Sequence, residues 1–299
     1  MMIEPPSLDA DCWILSGPTA SGKTSLAIAM ARQLNAEIIS VDSMAVYAGL
    51  NIGTAKPTAI QQEKVPHYCL DLVPPNKTFS VAHWLHATSS AVEMIRTKGK
   101  KVLFVGGTPL YLRTLCNGLA PLPPDNPSLR QQLEHDANVL GLHHLHSQLQ
   151  ARDPLAARQI HLNDKKRIIR ALEVIEATGH PLSDIWQTTE NTSNSDSATF
   201  RSQMLILDVP RTHLYKRIER RVDTMFCSGL LEETHHAMSY EGLGDTACQA
   251  AGYAEAIAFH HKHISLNEAI ERTKKRTRQL AKRQLTWLRS FKHAIWITA

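Results

Sequence analysis

The sequence predicts an α/β protein, a P-loop NTPase-like parallel sheet flanked by helices, with a smaller all-helical insertion domain. Three observations carry that expectation. Short apolar runs at 12–15, 37–41 and 102–105 alternate with stretches of helical spacing, the pattern of βα units around a parallel sheet. The first run leads into Gly17-Pro18-Thr19-Ala20-Ser21-Gly22-Lys23-Thr24, which fits G-x-x-x-x-G-K-[ST]. Composition then changes at the proline-rich stretch 119–124, and polar helical sequence follows until another apolar run at 203–209.

The elements follow in order. After the strand at 12–15 and the glycine loop, 25–34 reads as a helix, with Leu26, Ile28, Ala29, Met30 and Leu34 as buried positions. The loop glycines let backbone N–H groups turn toward an anion, and the helix N-terminus adds partial positive charge. Lys23 is placed to reach the outer phosphate, and the Thr24 hydroxyl to help hold Mg²⁺. The strand at 37–41 ends at Asp42-Ser43, on the rim where open parallel sheets bind ligands. Residues 44–57 read as a loop, and 68–73 as a third strand. Helical spacing over 80–97 (Val81, Trp84, Leu85, Val92, Ile95) stops at Lys98-Gly99. The strand at 102–105 runs into Gly106-Gly107-Thr108, and a helix begins at Pro109, where proline is tolerated. Beyond the proline-rich boundary, 126–150 reads as helical. So does 165–178, capped by Asp164 and closed by Gly179. The Ser-, Thr- and Asn-rich stretch 188–199 reads as a flexible loop. A strand at 203–209 returns to the sheet, and 211–227, 229–240, 246–260 and 266–291 read as helices. The catalytic core is therefore expected over 1–119 and 201–299, and the insertion over 120–200.

Composition narrows the function classes. Hydrophobic content of 43% and charged content of 20% suit a soluble globular chain. No apolar run approaches the roughly 20 residues of a membrane span, and Met1 to Ala10 lacks a signal-peptide pattern. A cytoplasmic protein with no membrane partner is expected. Five cysteines, odd in number and without a C-x-x-C pair, read as reduced thiols. The clusters His143-His144-x-His146 and His260-His261-x-His263 lack metal-ligand spacing and read as surface histidines. The net charge of +5 says less than its distribution. From Arg272 to the end there are nine Lys or Arg and no acid, which fits a polyanionic partner or a solvated helix face.

A phosphate-loop ATPase needs an acid at a strand end to hold Mg²⁺ and orient water. Here the strand at 102–105 ends in Gly-Gly-Thr. The acid on the rim close behind the loop is Asp42, better placed to take a proton from an acceptor lying over the phosphates. Asp208, after a later strand, reads as structural.

These features, with Gly53-Thr-Ala-Lys-Pro57, Arg167-Ile-Ile-Arg-Ala-Leu-Glu-Val174 and Leu280-Ala-Lys-Arg-Gln-Leu-Thr-Trp-Leu-Arg289, resemble the bacterial tRNA dimethylallyltransferase (tRNA isopentenyltransferase) family. The resemblance runs in order from about 12 to 297. It implies transfer of a dimethylallyl group from dimethylallyl diphosphate to the exocyclic N6 of the adenosine just 3′ of the tRNA anticodon. It also implies Mg²⁺ as cofactor and a monomer. Asp42 is then the general base, Gly17 to Thr24 cradle the diphosphate with Lys23, Arg217 clamps it, and Thr108 lies at the reaction site. The anticodon stem-loop is expected to meet Asp42, Ser43, Met44, Ala45, Thr108, Arg130, Lys166, Arg167, Ile168, Ile169, Arg170, Lys282 and Arg283. Within 166–170 the basic residues are the candidate contacts and the two isoleucines read as packing. Ala45 stands where the family usually has Gln, and Ala48 and Ala254 stand where it usually has a basic residue. Competing readings are an adenine-nucleotide prenyltransferase with the same chemistry, a phosphate-loop kinase or ATPase, and a pure RNA-binding module.

Overall fold

The protein was analysed as a computed structural model that describes residues 4–6, 8–186, 203–240 and 242–298. The loop expected over 188–199 lies outside the described residues. Six strands form one parallel sheet: β1 (Cys12–Ser16), β2 (Ala36–Val41), β3 (His67–Tyr68), β4 (Lys101–Gly106), β5 (Met204–Asp208) and β6 (Ile295–Thr298). Their spatial order is β3-β2-β4-β1-β5-β6. The described residues fall into two compact units. One comprises Pro5–Cys116 and the chain from β5 onward, and the other begins at Asn117.

The sheet unit is built as parallel sheets must be, with its central strands covered on both faces. All six residues of β2 are buried, and so are Val102, Leu103 and Phe104 of β4. One cover is α1 (Lys23–Leu34), whose Ala27 and Ala31 pack with Leu15, Ile38 and Leu103. Ala29, expected to be buried, is exposed, because the buried stripe of α1 runs through Ala27 and Ala31 instead. After the short α2 (Ala59–Lys64) comes α3 (Val81–Thr97). It starts with a capping box between Ser80 and His83 and buries Trp84, Leu85, Thr88, Ala91, Val92 and Ile95, one continuous helical face. The Trp84 indole N–H donates to the Ser40 carbonyl at 3.0 Å, and its ring stacks on Tyr111 at 4.4 Å between centroids. That tie holds β2 two residues before Asp42. Tyr111 lies in α4 (Pro109–Asn117).

The helical unit contains α5 (Pro127–Val139), α6 (Leu142–Arg152), α7 (Pro154–Gln159) and α8 (Lys165–Thr178) around a core that includes Leu145, Leu149, Ile168, Leu172 and Ile175. The sheet unit resumes with β5, then α9 (Arg211–Cys227), α10 (Leu230–Tyr240), α11 (Asp245–Cys248), α12 (Tyr253–His260) and α13 (Leu266–Leu288).

Several elements differ from the sequence reading. The third strand is only two residues, because Cys69 and Asp71 take φ of 60° and 52°, which breaks extended pairing. The helix expected over 126–150 is two helices, divided at Gly141 with φ 87°. The helix expected over 246–260 is broken before Gly252, with φ 97°. The last helix ends at Leu288, and the chain then adds β6 to the sheet beside β5.

At Gly106 the sheet leaves no room for a side chain: a Cβ would fall 2.1 Å from the Val41 carbonyl oxygen. We therefore expect Gly106→Ala to separate the ends of β4 and β2 and destabilise the protein by about 1–3 kcal/mol. Urea denaturation would read this, and an unchanged midpoint would contradict the packing described.

Candidate active site

Three loops leave the carboxyl ends of three adjacent strands. The glycine loop follows β1, Gly107-Thr108 follows β4, and Asp42-Ser43 follows β2. They meet in one cleft of about 710 Å³, lined also by Gly53 to Ala55 and by Arg217 and Arg221 of α9. This is the crevice position expected for a ligand of an open parallel sheet.

The loop after β1 is shaped by its backbone. Ala20 has φ 62° and Gly22 φ 95°, so the chain turns sharply through left-handed positions before α1 begins. Gly22 allows a left-handed turn that a side chain would strain. Lys23 Nζ donates to the carbonyls of Gly17 (2.8 Å) and Pro18 (2.7 Å), curling the loop around its own ammonium. Asp42 is half-buried, and its Oδ1 accepts from the Met44 N–H at 2.8 Å and the Ala45 N–H at 3.4 Å. Those bonds fix the carboxylate in a turn directly after β2. The Thr108 hydroxyl accepts from the Ser43 N–H at 3.1 Å, joining the loops after β4 and β2.

The charges in the cleft are unequal. Burial first, and then the Arg221 guanidinium, pull the Lys23 ammonium down to about 7, while Asp42 pushes it back up. Burial likewise lowers Arg221, again opposed by Asp42. Arg217 Nη1 donates to the Ser21 carbonyl at 3.1 Å. Three cations and one carboxylate thus line the cleft, a field that favours a polyanion.

Gly17 and Pro18 shape the loop, and the structure brings Thr19, Ala20, Ser21, Gly22, Lys23, Thr24, Asp42, Ser43, Met44, Thr108 and Arg217 together on the cleft. Other expected site residues stand elsewhere. Ala45 is buried at 4% exposure, so its methyl group packs inside the protein. Ile168 and Ile169, part of the segment expected to meet RNA, are core residues of the helical unit at 0% and 4% exposure, so their side chains only pack. Arg130 and Arg170 both hold the buried Glu173, at 2.6 and 3.3 Å, and both also pair with Asp125. Lys166 and Arg167 are exposed. On α13, Arg272, Lys274, Arg276 and Arg278 are ion-paired to acids, whereas Lys275, Lys282, Arg283 and Arg289 are exposed. Asp208 is exposed beside a different, smaller cleft with Lys282 and Arg289. Among the described residues no group of three or more His, Cys, Asp or Glu could hold a metal.

Two residues of the site escaped the sequence reading. Arg221 lies one turn beyond Arg217, and its Nη1 donates to Thr19 Oγ1 at 3.4 Å. The i, i+4 spacing along α9 was the available signal. Gln284 of α13 is buried, accepts from the Thr19 N–H at 2.8 Å and donates to the Gly107 carbonyl at 2.9 Å. One amide thus bridges the loops after β1 and β4. No local pattern marks a glutamine 265 residues from its partner.

Residues 45–291 match the IPP transferase family, and residues 10–74 match the isopentenyl transferase family. The chain is 42% identical to a tRNA dimethylallyltransferase of Geobacter metallireducens, over 95% of this chain and 91% of that one. It is 40% identical to a tRNA dimethylallyltransferase of Nitrosococcus oceani, over 99% and 93% of the two chains. Among solved structures it resembles the tRNA isopentenylpyrophosphate transferase of Bacillus halodurans, with TM-score 0.67 and 36% identity over 96% of this chain and 89% of that one. It also resembles a eukaryotic dimethylallyltransferase acting on tRNA, with TM-score 0.76 and 28% identity over 95% and 73% of the two chains. A phosphate loop, a strand-end aspartate and a Gly-Gly-Thr turn on one cleft, with similarity along nearly the whole length, lead to one conclusion: the chain belongs to the IPP transferase family.

Proposed function

We propose that this protein transfers a dimethylallyl group from dimethylallyl diphosphate to the N6 amine of the adenosine 3′-adjacent to the anticodon of tRNA. The observation that carries the reading is the meeting of a cationic loop after β1 and a fixed carboxylate after β2 on one cleft, with β4 between the two strands. The loop reads a diphosphate whatever that group carries, and its relatives carry the same name of activity.

The chemistry divides between the two sides of the cleft. The adenine amine is a weak nucleophile, because its lone pair is delocalised into the ring. As its nitrogen bonds to the terminal carbon of the donor, the C–O bond to diphosphate breaks and the electron pair leaves on oxygen. Asp42 takes the proton from nitrogen. The loop amides, Lys23, Arg217 and Arg221 meet the charge gathering on the departing diphosphate. For Lys23 this means exchanging the carbonyls of Gly17 and Pro18 for phosphate oxygens. Of the residues lining the cleft, the Thr24 hydroxyl would hold Mg²⁺ there, leaving the Asp42 carboxylate to act as base. When bound there, Mg²⁺ supplies further neutralisation of diphosphate charge.

For tRNA, the target base must leave the anticodon stack to reach the cleft. The exposed cations Lys282 and Arg283 of α13, and Lys166 and Arg167 of the helical unit, supply the phosphate contacts in this reading. Arg130 and Arg170 contribute mainly by holding Glu173 and the segment at Pro123, whose carbonyl accepts from Arg170 at 2.7 Å. The protein acts as a monomer in the cytoplasm, and no helix of the described residues is long and apolar enough to cross a membrane.

Three measurements test this. Incubated with dimethylallyl diphosphate, ATP, Mg²⁺ and either tRNA or AMP, the protein should prenylate tRNA and leave ATP intact. Consumption of ATP with the prenyl donor untouched, or prenylated AMP with unchanged tRNA, would overturn the assignment. Asp42→Asn keeps the oxygen that accepts from Met44 and Ala45, so it should lower kcat about a hundredfold or more while tRNA affinity stays unchanged. Lys23 offers a pH signature. Its ammonium titrates at about 7, and a bound diphosphate restores its charge. Donor affinity should therefore fall by up to about tenfold per unit as pH rises above 7. Calorimetry from pH 7.5 to 9 should give this slope for the native protein and none for Lys23→Met.

A further inference from the structure

One wall of the cleft is an irregular stretch, and it is held by an acid that takes no part in the chemistry above. Gly53, Thr54 and Ala55 line the cleft. Ala55 adopts φ 50°, a left-handed conformation that is costly for a residue with a Cβ and persists only where the surroundings enforce it. The Ala55 N–H donates to the Ile52 carbonyl at 3.0 Å, and the residues just before this turn are held by Glu233 of α10. Its carboxylate accepts from three successive backbone amides: Asn51 at 2.8 Å, Ile52 at 2.9 Å and Gly53 at 3.2 Å. The Tyr253 hydroxyl donates to the same carboxylate at 2.6 Å. Tyr253 is fully buried and packs so closely on Gly53 that a Cβ there would fall 2.4 Å from its ring. Among the described residues, no ion pair joins Glu233 to a cation; amides and a phenol meet its charge, an arrangement that fixes a backbone rather than a partner side chain.

The far end of the stretch is fastened by the opposite charge. Buried Lys56 donates to the Tyr47 carbonyl, to Asn51 Oδ1 at 3.2 Å and to Asp71 Oδ1 at 2.5 Å. Residues 47–56 are thus pinned by a cation on one side and an anion on the other. The segment begins just after the turn that fixes Asp42, and ends at residues that line the same cleft as the phosphate loop.

We propose that Glu233, supported by Tyr253, is a positioning residue for the prenyl donor: it sets the backbone wall 53–55 against which the donor rests in the cleft. The inference rests on the reading of that cleft as the donor site. In Glu233→Gln one accepting oxygen becomes an NH₂ donor facing three other donors, so the wall loses its template. Tyr253→Phe removes the hydroxyl that meets Glu233 and the Gly53 and Thr54 backbone, but leaves the three amides on the Glu233 carboxylate. Glu233→Asp keeps the charge on a shorter arm.

The test is steady-state kinetics with saturating tRNA and varied dimethylallyl diphosphate, together with hydrogen exchange and thermal melting of each variant. For Glu233→Gln we expect KM for the donor to rise about tenfold or more, with kcat within about threefold of the native value. Amide exchange at 51–55 should be faster, and the melting temperature close to native. Glu233→Asp should recover part of the KM, and Tyr253→Phe should raise it about threefold. An unchanged donor KM in Glu233→Gln, or a loss confined to apparent kcat in proportion to lost folded protein, would overturn the proposal. Should Glu233→Gln not fold, an unchanged donor KM in Tyr253→Phe would do the same. Absence of prenyl transfer by the native protein would instead remove the functional reading, whereas unaltered exchange at 51–55 in Glu233→Gln would remove this inference alone.

Discussion

The pairing of β4 with both β1 and β2 is the constraint on which the site depends. β4 lies between the two, with Leu15 opposite Val105 on one side and Val41 opposite Gly106 on the other. This register brings three strand ends level. The Ser16 hydroxyl donates to the Gly106 carbonyl at 2.8 Å, and the Thr108 N–H donates to the Val41 carbonyl at 3.2 Å, so the alignment continues past the last ladder bond. Gly106 has no space for a side chain and Gly107 little more, with a Cβ 2.7 Å from the Gly17 carbonyl. The backbones of the three loops therefore approach more closely than side chains would permit. A slip of one residue would reverse the faces of β4 and separate Thr108 from Ser43.

Holding cations in a partly dry cleft is unfavourable until an anion arrives. Burial disfavours the charged forms of Lys23 and Arg221, and a single carboxylate offsets only part of this. The protein answers with backbone: the carbonyls of Gly17, Pro18 and Ser21 hold the ammonium of Lys23 and the guanidinium of Arg217. The same carbonyls are weak competitors for charge beside a diphosphate. In the proposed reaction the cost of burial is thus converted into selectivity for a highly charged donor.

Much of the site was legible before any coordinates. The phosphate loop and Asp42 declare themselves because each sits beside a recognisable strand, and strand ends of a parallel sheet share one rim. Thr108 was given by the family resemblance, and it lines the same cleft. Arg221 was within reach, since it repeats Arg217 one helical turn later. Gln284 and Glu233 were not. Each acts on backbone groups of a loop distant in sequence, and neither the glutamine nor the acid differs locally from its many counterparts on helix surfaces. The basic C-terminal helix was only half read: its acid-free stretch from Arg272 conceals four cations that meet acids from other segments or from the preceding turns.

The sequence by itself determined which stretches become the central buried strands, where most helices begin, and that the glycine loop and Asp42 share one rim. These depend on apolar periodicity, capping side chains and glycine placement, all properties of a few neighbouring residues. Tertiary structure decided the strand order, the shortening of β3, the addition of β6 and the fastening of the cleft walls by Gln284, Glu233 and Lys56. Those outcomes turn on contacts between distant segments, where backbone groups left unpaired by loops must find partners, and only the folded chain fixes which side chain stands close enough to provide one.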